Sequence, residues 1–332
     1  MKAATITRNG GPGVFQMREI KPPTIVAGGI RIRVKACGVN FADLMMRMGL
    51  YPEAPKPPFV PGYEVAGTVT EVGPGVGVFR VGDRVMAACK FGGYTEEIVV
   101  PALVARKIPD AMSFEEAAAV VVNYMTAWVG LMDMARVRSG DRVLISSAAG
   151  GVGTAAVQLC KHAGAEVVGL VSSHAKDAYV KGLGADAVWE YDEWYAKKDE
   201  RFSVVFDANG GKSLKLAFAR LAPMGRVVSF GVSDMISGQK RNLFKTVAGL
   251  LQTPIFSQFK LQMQNKGVFG LNVLKFMDEP ETLSGAFDGI MQGFQEGKYK
   301  VHVGKTFPLA HAGEAHTYLQ SRKGTGKVVL IT

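Results

Sequence analysis

Cysteine is nearly absent. Cys37, Cys89 and Cys160 are the only three in 332 residues, and they lie far apart. With no C-x-x-C pair and no dense even set, a disulfide-stapled secreted scaffold is excluded and a reducing, cytoplasmic setting is expected. Histidine is equally thin. His162, His174, His302, His311 and His316 form no H-E-x-x-H pattern and stand away from the cysteines, so no tetrahedral zinc site assembles and no bound metal is expected. A G-x-S-x-G elbow and an obvious carboxylate pair are missing too, which removes the common hydrolase chemistries.

Long apolar runs are also missing. The longest uncharged apolar stretch, between Glu116 and Asp133, holds 16 residues and includes Asn123 and Thr126, against the ~20 needed to cross a bilayer. It reads as a buried helix, and membrane association is not expected. The start, from Met1 and Lys2 to Arg8, is a short alternating run with charge at both ends, and it lacks the apolar core of a secretory signal. Basic residues exceed acidic ones, 39 against 29 for a net charge of +10, yet no dense Lys/Arg block occurs. A scattered excess of this kind is a solvated surface, so nucleic acid is not an expected partner.

What remains is a folded chain long enough for two compact units of roughly 100 to 200 residues each. Its 48% hydrophobic and 20% charged residues argue against disorder, and 40 glycines announce tight turns and close backbone approaches. From Met1 to about Val122, β-type runs alternate with glycine and proline: Ile30–Val34, Val65–Val69, Arg84–Ala88 and Glu97–Val100. From about Asp141 the rhythm changes to short apolar strands between helical patterns, the signature of βαβ crossovers and a parallel sheet. The strands are Arg142–Ile145, Glu166–Val171, Ala187–Trp189, Ser203–Phe206, Arg226–Phe230 and Gly267–Leu271. Beyond them come helical patterns near Glu279–Gln295 and Ala310–Ser321, a β-like Lys305–Pro308 and a last strand Lys327–Ile331. Gly238–Lys266 reads as a helical pair that covers a cleft, forms a subunit contact or packs on the sheet.

The most specific local signal is Val143-Leu144-Ile145-Ser146-Ser147-Ala148-Ala149-Gly150-Gly151-Val152-Gly153-Thr154: a buried strand, a glycine turn, then a helix. Glycines there let a pyrophosphate approach the backbone, and the helix start offers unpaired N–H groups and its positive dipole end. Ala148 stands where such a fingerprint begins with glycine. A carboxylate about 20 positions on would bind the free ribose diol of NAD. The chain instead reads Gly169-Leu170-Val171-Ser172-Ser173-His174-Ala175-Lys176, hydroxyls and a cation suited to a 2′-phosphate. NADPH is therefore the expected cofactor. With no Lewis acid to activate an alcohol, reduction of a quinone or an activated double bond is the expected chemistry.

At Ala36-Cys37-Gly38-Val39-Asn40-Phe41-Ala42-Asp43, Pro61-Gly62-Tyr63-Glu64-Val65-Ala66-Gly67, Gly82-Asp83-Arg84-Val85 and Ala148–Gly153, the chain resembles the quinone oxidoreductases of the zinc-free medium-chain dehydrogenase/reductase superfamily. Lys240-Arg241-Asn242-Leu243 and Asn265–Asn272 further resemble the branch of the synaptic vesicle amine transport protein homologues. The resemblance implies an α/β fold: a GroES-like β-barrel catalytic domain begun by residues 1–122, a doubly wound parallel Rossmann domain at 123–266, and a sixth Rossmann strand with a return to the catalytic domain at 267–332. It implies a homodimer as well. Where zinc-containing relatives place a cysteine, a histidine and a second cysteine, the matching positions are Asn40, Tyr63 and about Val122.

Carried over residue by residue, the resemblance places Asn40 and Tyr51 at the nicotinamide end, with Asn123 and Thr126 approaching it. Asp43 either orients Asn40 or caps a helix. Gly150, Gly151, Val152 and Gly153 would hold the pyrophosphate; Gly169, Ser173, Lys176 and Tyr191 would surround the adenosine ribose and its phosphate. Asn209, Phe230, Gly231 and Val232 sit after strands, where ligands bind in such sheets, and Phe269, Gly270 and Leu271 would line the nicotinamide side. The implied activity is hydride delivery to a quinone or to the β-carbon of an enone, with Asn40, Tyr51 or water as oxyanion donor. Two alternatives stay open: an enoyl or alkenal double-bond reductase, and an NADPH-binding adaptor with little catalysis.

Overall fold

A computed structural model describes residues 1–235 and 251–332. The strands of the first part of the chain are β1 (Lys2–Ile6), β2 (Phe15–Glu19), β3 (Gly29–Val39), β4 (Glu64–Val72), β5 (Arg84–Ala88), β6 (Glu97–Pro101) and β7 (Ala105–Lys107). After them come β8 (Arg142–Ile145), β9 (Glu166–Val171), β10 (Ala187–Glu190), β11 (Phe202–Asp207), β12 (Leu221–Ser229), β13 (Gly267–Gly270), β14 (Val303–Pro308) and β15 (Lys327–Ile331).

In β3 the alternation Ile30-Arg31-Ile32-Arg33-Val34-Lys35 buries each aliphatic residue and leaves the cations outside, as a half-exposed strand requires. From Ala36 to Val39 both faces are covered and the alternation ends. One edge of β3 pairs with β4. The other edge is shared: its first half takes β6 (Gly29↔Pro101 to Arg33↔Glu97), and its second half takes β15 (Ala36↔Ile331 to Val39↔Val328). Strands from the early part and the last part of the described chain therefore meet in one seven-stranded sheet, β14-β15-β3-β4-β5-β7 with β6 on β3, while β1 and β2 pair separately.

The other sheet has six parallel strands in the order β10-β9-β8-β11-β12-β13. Its central strands are buried on both faces, which is why Val143-Leu144-Ile145 and Val167-Val168 read as unbroken apolar runs. Strand order reverses between β8 and β11, and a crevice opens beyond the carboxyl ends at such a reversal. The stretch Phe114–Met134 is long and apolar enough to cross a membrane by length and composition alone, but 72% of its most apolar window is buried inside the fold.

Four predicted strands, Arg84–Ala88, Arg142–Ile145, Glu166–Val171 and Lys327–Ile331, have the predicted limits. The polar, largely exposed β2 and the three-residue β7 carry too little apolar pattern to be read. β12 begins at Leu221 rather than Arg226, because pairing with β11 slips between Phe202 and Val204. It ends at Ser229, and Phe230 leaves the sheet to stack on Phe206, ring centroids 4.1 Å apart. Of the expected helical pair, residues 238–250 lie outside the described residues. The helix Gln258–Gln264 lies against the sheet through Phe256 and Leu261 rather than over the cleft.

The turn from β8 into the helix Gly151–His162 depends on one close contact. A Cβ on Gly153 would lie 2.3 Å from the Ser147 carbonyl oxygen and 2.6 Å from the Ala148 Cα. Gly153→Ala is therefore expected to cost about 1–3 kcal/mol of stability through overpacking, read as a lower thermal unfolding midpoint. An unchanged midpoint would show that the turn yields freely.

Candidate active site

A cleft of about 690 Å³ runs along the carboxyl edge of the parallel sheet and is closed on its other side by the first sheet. Gly150, Gly151, Val152 and Gly153 line its middle, and no side chain caps the helix they begin. Its first N–H groups thus face the cleft without an internal partner, an arrangement that favours an anion. Ser147 holds a left-handed φ of 53° within the turn. Tyr191 steadies it: the phenol oxygen accepts the Ser147 N–H at 3.0 Å and the Asn209 Nδ2 at 3.1 Å. Asn209 is itself buried behind the cleft lining, its Oδ1 accepting the Ser233 hydroxyl, so it supports Tyr191 rather than facing a ligand.

At one end Lys176, Ser172 and Tyr191 line the cleft together with Arg322, which sequence reasoning missed. Lys176 Nζ donates to Ser172 Oγ at 3.1 Å and to the Arg322 carbonyl at 2.6 Å; Arg322 in turn donates to the Ser233 carbonyl at 2.7 Å. Desolvation, reinforced by Arg322, pulls the Lys176 pKa below its ordinary value. Two expected residues are displaced here. Ser173 turns its hydroxyl back onto the Ala175 N–H at 3.3 Å, leaving Ser172 to face the cleft. Gly169 lies beneath the turn, where a Cβ would come within 2.9 Å of the Ala148 Cβ. Its missing side chain makes room for Ala148, which explains how alanine begins this glycine fingerprint.

Asn40, Tyr51, Tyr63, Asn123 and Thr126 gather at the opposite end, and Phe230, Gly231, Val232, Gly270 and Leu271 line the sheet side between. Phe269 does not line the cleft; it is 37% exposed on the outer side of β13. Thr126 Oγ1 donates to the Val122 carbonyl at 2.7 Å, and Asn123 Nδ2 to the Ala119 carbonyl at 2.9 Å. Tyr51 accepts from Asn272 Nδ2 at 3.3 Å. Asn40 is held by two residues that were not singled out as site residues. Its Oδ1 accepts from Lys327 Nζ at 2.7 Å, and its Nδ2 donates to Glu64 Oε1 at 2.9 Å. Among the described residues no group of three His, Cys, Asp or Glu side chains could hold a metal ion.

Known proteins share this architecture. The alcohol dehydrogenase GroES-like domain family matches residues 26–110, and the family described as zinc-binding dehydrogenase matches residues 183–330. The human synaptic vesicle membrane protein VAT-1 homolog is 36% identical over 323 residues, spanning 96% of this chain and 82% of that protein. A Pseudomonas aeruginosa quinone oxidoreductase is 33% identical over 331 residues, 97% of each. The chain belongs to the quinone oxidoreductase family of medium-chain dehydrogenases/reductases. Among solved members of that fold, the Escherichia coli quinone oxidoreductase complexed with NADPH superposes with a TM-score of 0.85 at 30% identity over the whole of both chains. CurK enoyl reductase gives 0.84 at 26% identity, over 99% of this chain and 98% of that one.

In this family member Asp43 does not reach the cleft, which corrects its expected place among the catalytic groups. It is fully buried on the helix Phe41–Met48, where its Oδ2 accepts the Asn40 backbone N–H at 2.8 Å and the Tyr94 hydroxyl at 3.1 Å. It therefore closes a helix start and fixes the backbone of Asn40. Behind it the Tyr94 oxygen lies 3.1 Å from His316 Nε2, and burial drives the His316 pKa well below the usual histidine range. Tyr94 thus donates to Asp43 and accepts from a neutral imidazole.

Burial pushes the Asp43 pKa up to about 7, against the lowering effect of its bonds to Asn40 and Tyr94 and of the Lys327 charge. A carboxyl raised in the folded state contributes its full stability below the unfolded pKa near 4 and loses it as pH climbs through 7. Relative to Asp43→Asn, the wild type should therefore lose about 2–3 kcal/mol of stability between about pH 5 and about pH 8. Parallel denaturant titrations at several pH values check the sign and slope of this difference.

Proposed function

We propose that this chain is an NADPH-dependent reductase of quinones and similar conjugated carbonyl compounds. One observation carries the reading. Among the described residues that line the cleft none is Asp or Glu, and the charged ones are Lys176, Arg322 and Lys327. A crevice with no carboxylate among its lining residues, a glycine turn at its middle and a cation pair at one end suits a ligand with two linked phosphates and a third on the ribose. The glycine turn and the uncapped helix would hold the pyrophosphate, Lys176 and Arg322 the 2′-phosphate. Bound there, NADPH supplies a hydride.

The residues at the other end do the remaining work. Tyr63, Val122 and Leu271 exclude water, which strengthens each polar contact inside. Asn40 and Tyr51 offer neutral donors to an acceptor oxygen as negative charge grows on it. This chemistry needs an acceptor already polarised by conjugation. The likeness to CurK enoyl reductase favours a second reading, reduction of a carbonyl-conjugated double bond, which uses the same groups.

Following NADPH absorbance against a panel of quinones and α,β-unsaturated ketones separates the two readings by which acceptors turn over. No turnover on either class overturns both and leaves an NADPH-binding adaptor. Lys176→Ala and Arg322→Ala should each weaken NADPH by roughly 1–3 kcal/mol, the range for a charge-assisted bond, and leave NADH nearly unaffected. Equal losses for the two nucleotides would remove the phosphate assignment.

A further inference from the structure

The inner end of the cleft holds a buried ion pair whose geometry distinguishes between the two donors named above. Lys327 Nζ contacts Glu64 Oε1 at 2.5 Å, Asn40 Oδ1 at 2.7 Å and Asn123 Oδ1 at 3.3 Å. An ammonium has three N–H bonds and no lone pair, so Lys327 is fully committed. Glu64 accepts from Asn40 Nδ2 on the same Oε1, and its Oε2 takes the Val122 N–H at 2.7 Å. A donor-only group therefore faces Asn40 Oδ1 and an acceptor-only group faces Nδ2. The amide has one consistent orientation, and its second Nδ2 hydrogen is the one donor of that side chain with no partner among the described residues. The surroundings are shaped for this pair: a Cβ on Gly38 would lie 2.3 Å from Glu64 Oε1 and 2.5 Å from the Ala118 carbonyl oxygen.

We propose that Glu64 and Lys327 are positioning residues that lock the Asn40 amide so that its remaining N–H meets the acceptor's carbonyl oxygen, making Asn40 rather than Tyr51 the oxyanion donor. The inference rests on the reductase reading. Hydride addition to the conjugated system moves an electron pair onto that oxygen; the Asn40 hydrogen stays on nitrogen, and a solvent proton completes the product. Tyr51, by contrast, is held by no ion pair among the described residues: it packs on the cluster around Tyr63 and accepts the long bond from Asn272. A donor that needs no reorientation as charge develops contributes most to rate.

Removing one ion alone would leave the other buried and unpaired, so the informative variant is Glu64→Gln with Lys327→Met in the same chain. Asn40→Ser, which retains a helix-capping side chain, is the second. Each should lower kcat about 100- to 1,000-fold with NADPH affinity changed less than about twofold, and should raise the primary isotope effect with 4-deuterated NADPH. Combined, they should cost no more than either alone, since one acts through the other. Affinity for 4-nitrophenolate, an oxyanion probe monitored by its absorbance with NADP⁺ present, should fall about tenfold in both variants, a shift of about one unit in log Kd. Additive losses in kcat, or unaltered phenolate affinity, overturn the positioning role. A wild-type chain that reduces no carbonyl acceptor overturns the reductase reading itself, a result distinct from turnover with additive losses.

Discussion

The contact on which the rest of the molecule depends is a single ammonium group with three oxygens around it. Lys327 comes from β15, Glu64 from the start of β4, Asn40 from the junction between β3 and the helix Phe41–Met48, and Asn123 from the helix Val121–Trp128 that leads toward the parallel sheet. Both ions are almost completely removed from water. The Coulomb attraction between them is offset by the hydration each has lost, so their pairing gives geometry more than net stability. That geometry joins β15 to β3 and β4 and gives the cleft its inner end.

The same return of the chain marks out the whole length of the cleft. Arg322 stands beside Lys176, Gly326 donates its N–H to the Ala149 carbonyl at the glycine turn, and Lys327 reaches Asn40. At Gly326 the φ of 65° and a Cβ position 2.4 Å from the His302 carbonyl oxygen leave no room for a side chain. Three short contacts thus set one six-residue segment against the phosphate, pyrophosphate and nicotinamide ends expected of the ligand.

The parts of this arrangement legible in the sequence were those encoded locally. Parallel strands buried on both faces announce themselves as apolar runs, and the glycine turn announces itself by its place between a strand and a helix. The expectation of a phosphorylated cofactor rests on Lys176 and on a missing carboxylate, and it stays part of the proposal. Glu64, Lys327 and Arg322 escaped because their meaning lies in pairings between distant segments, Glu64 with Lys327 and Arg322 with Lys176. A hint was present: Glu64 and Lys327 are charged residues each followed directly by a buried apolar run, Val65-Ala66 and Val328-Val329-Leu330, which a folded chain tolerates only when they have partners. Asp43 and Gly169 were misplaced for the opposite reason. Each sits beside ligand-facing residues in sequence, yet one points into the protein and the other makes room for Ala148.

The division of the first sheet between the early part and the last part of the described chain also orders events during synthesis. Strands β8 to β13 are contiguous, so the parallel sheet can assemble while the ribosome is still producing β14 and β15. β3 is made earlier, but the edge running from Ala36 to Val39 has no neighbour until β15 emerges. An apolar, unpaired edge of this kind invites pairing with other chains. The interval between the emergence of Val39 and that of Val328 is thus one in which this edge is open to misassociation, and one in which a chaperone has something to shield.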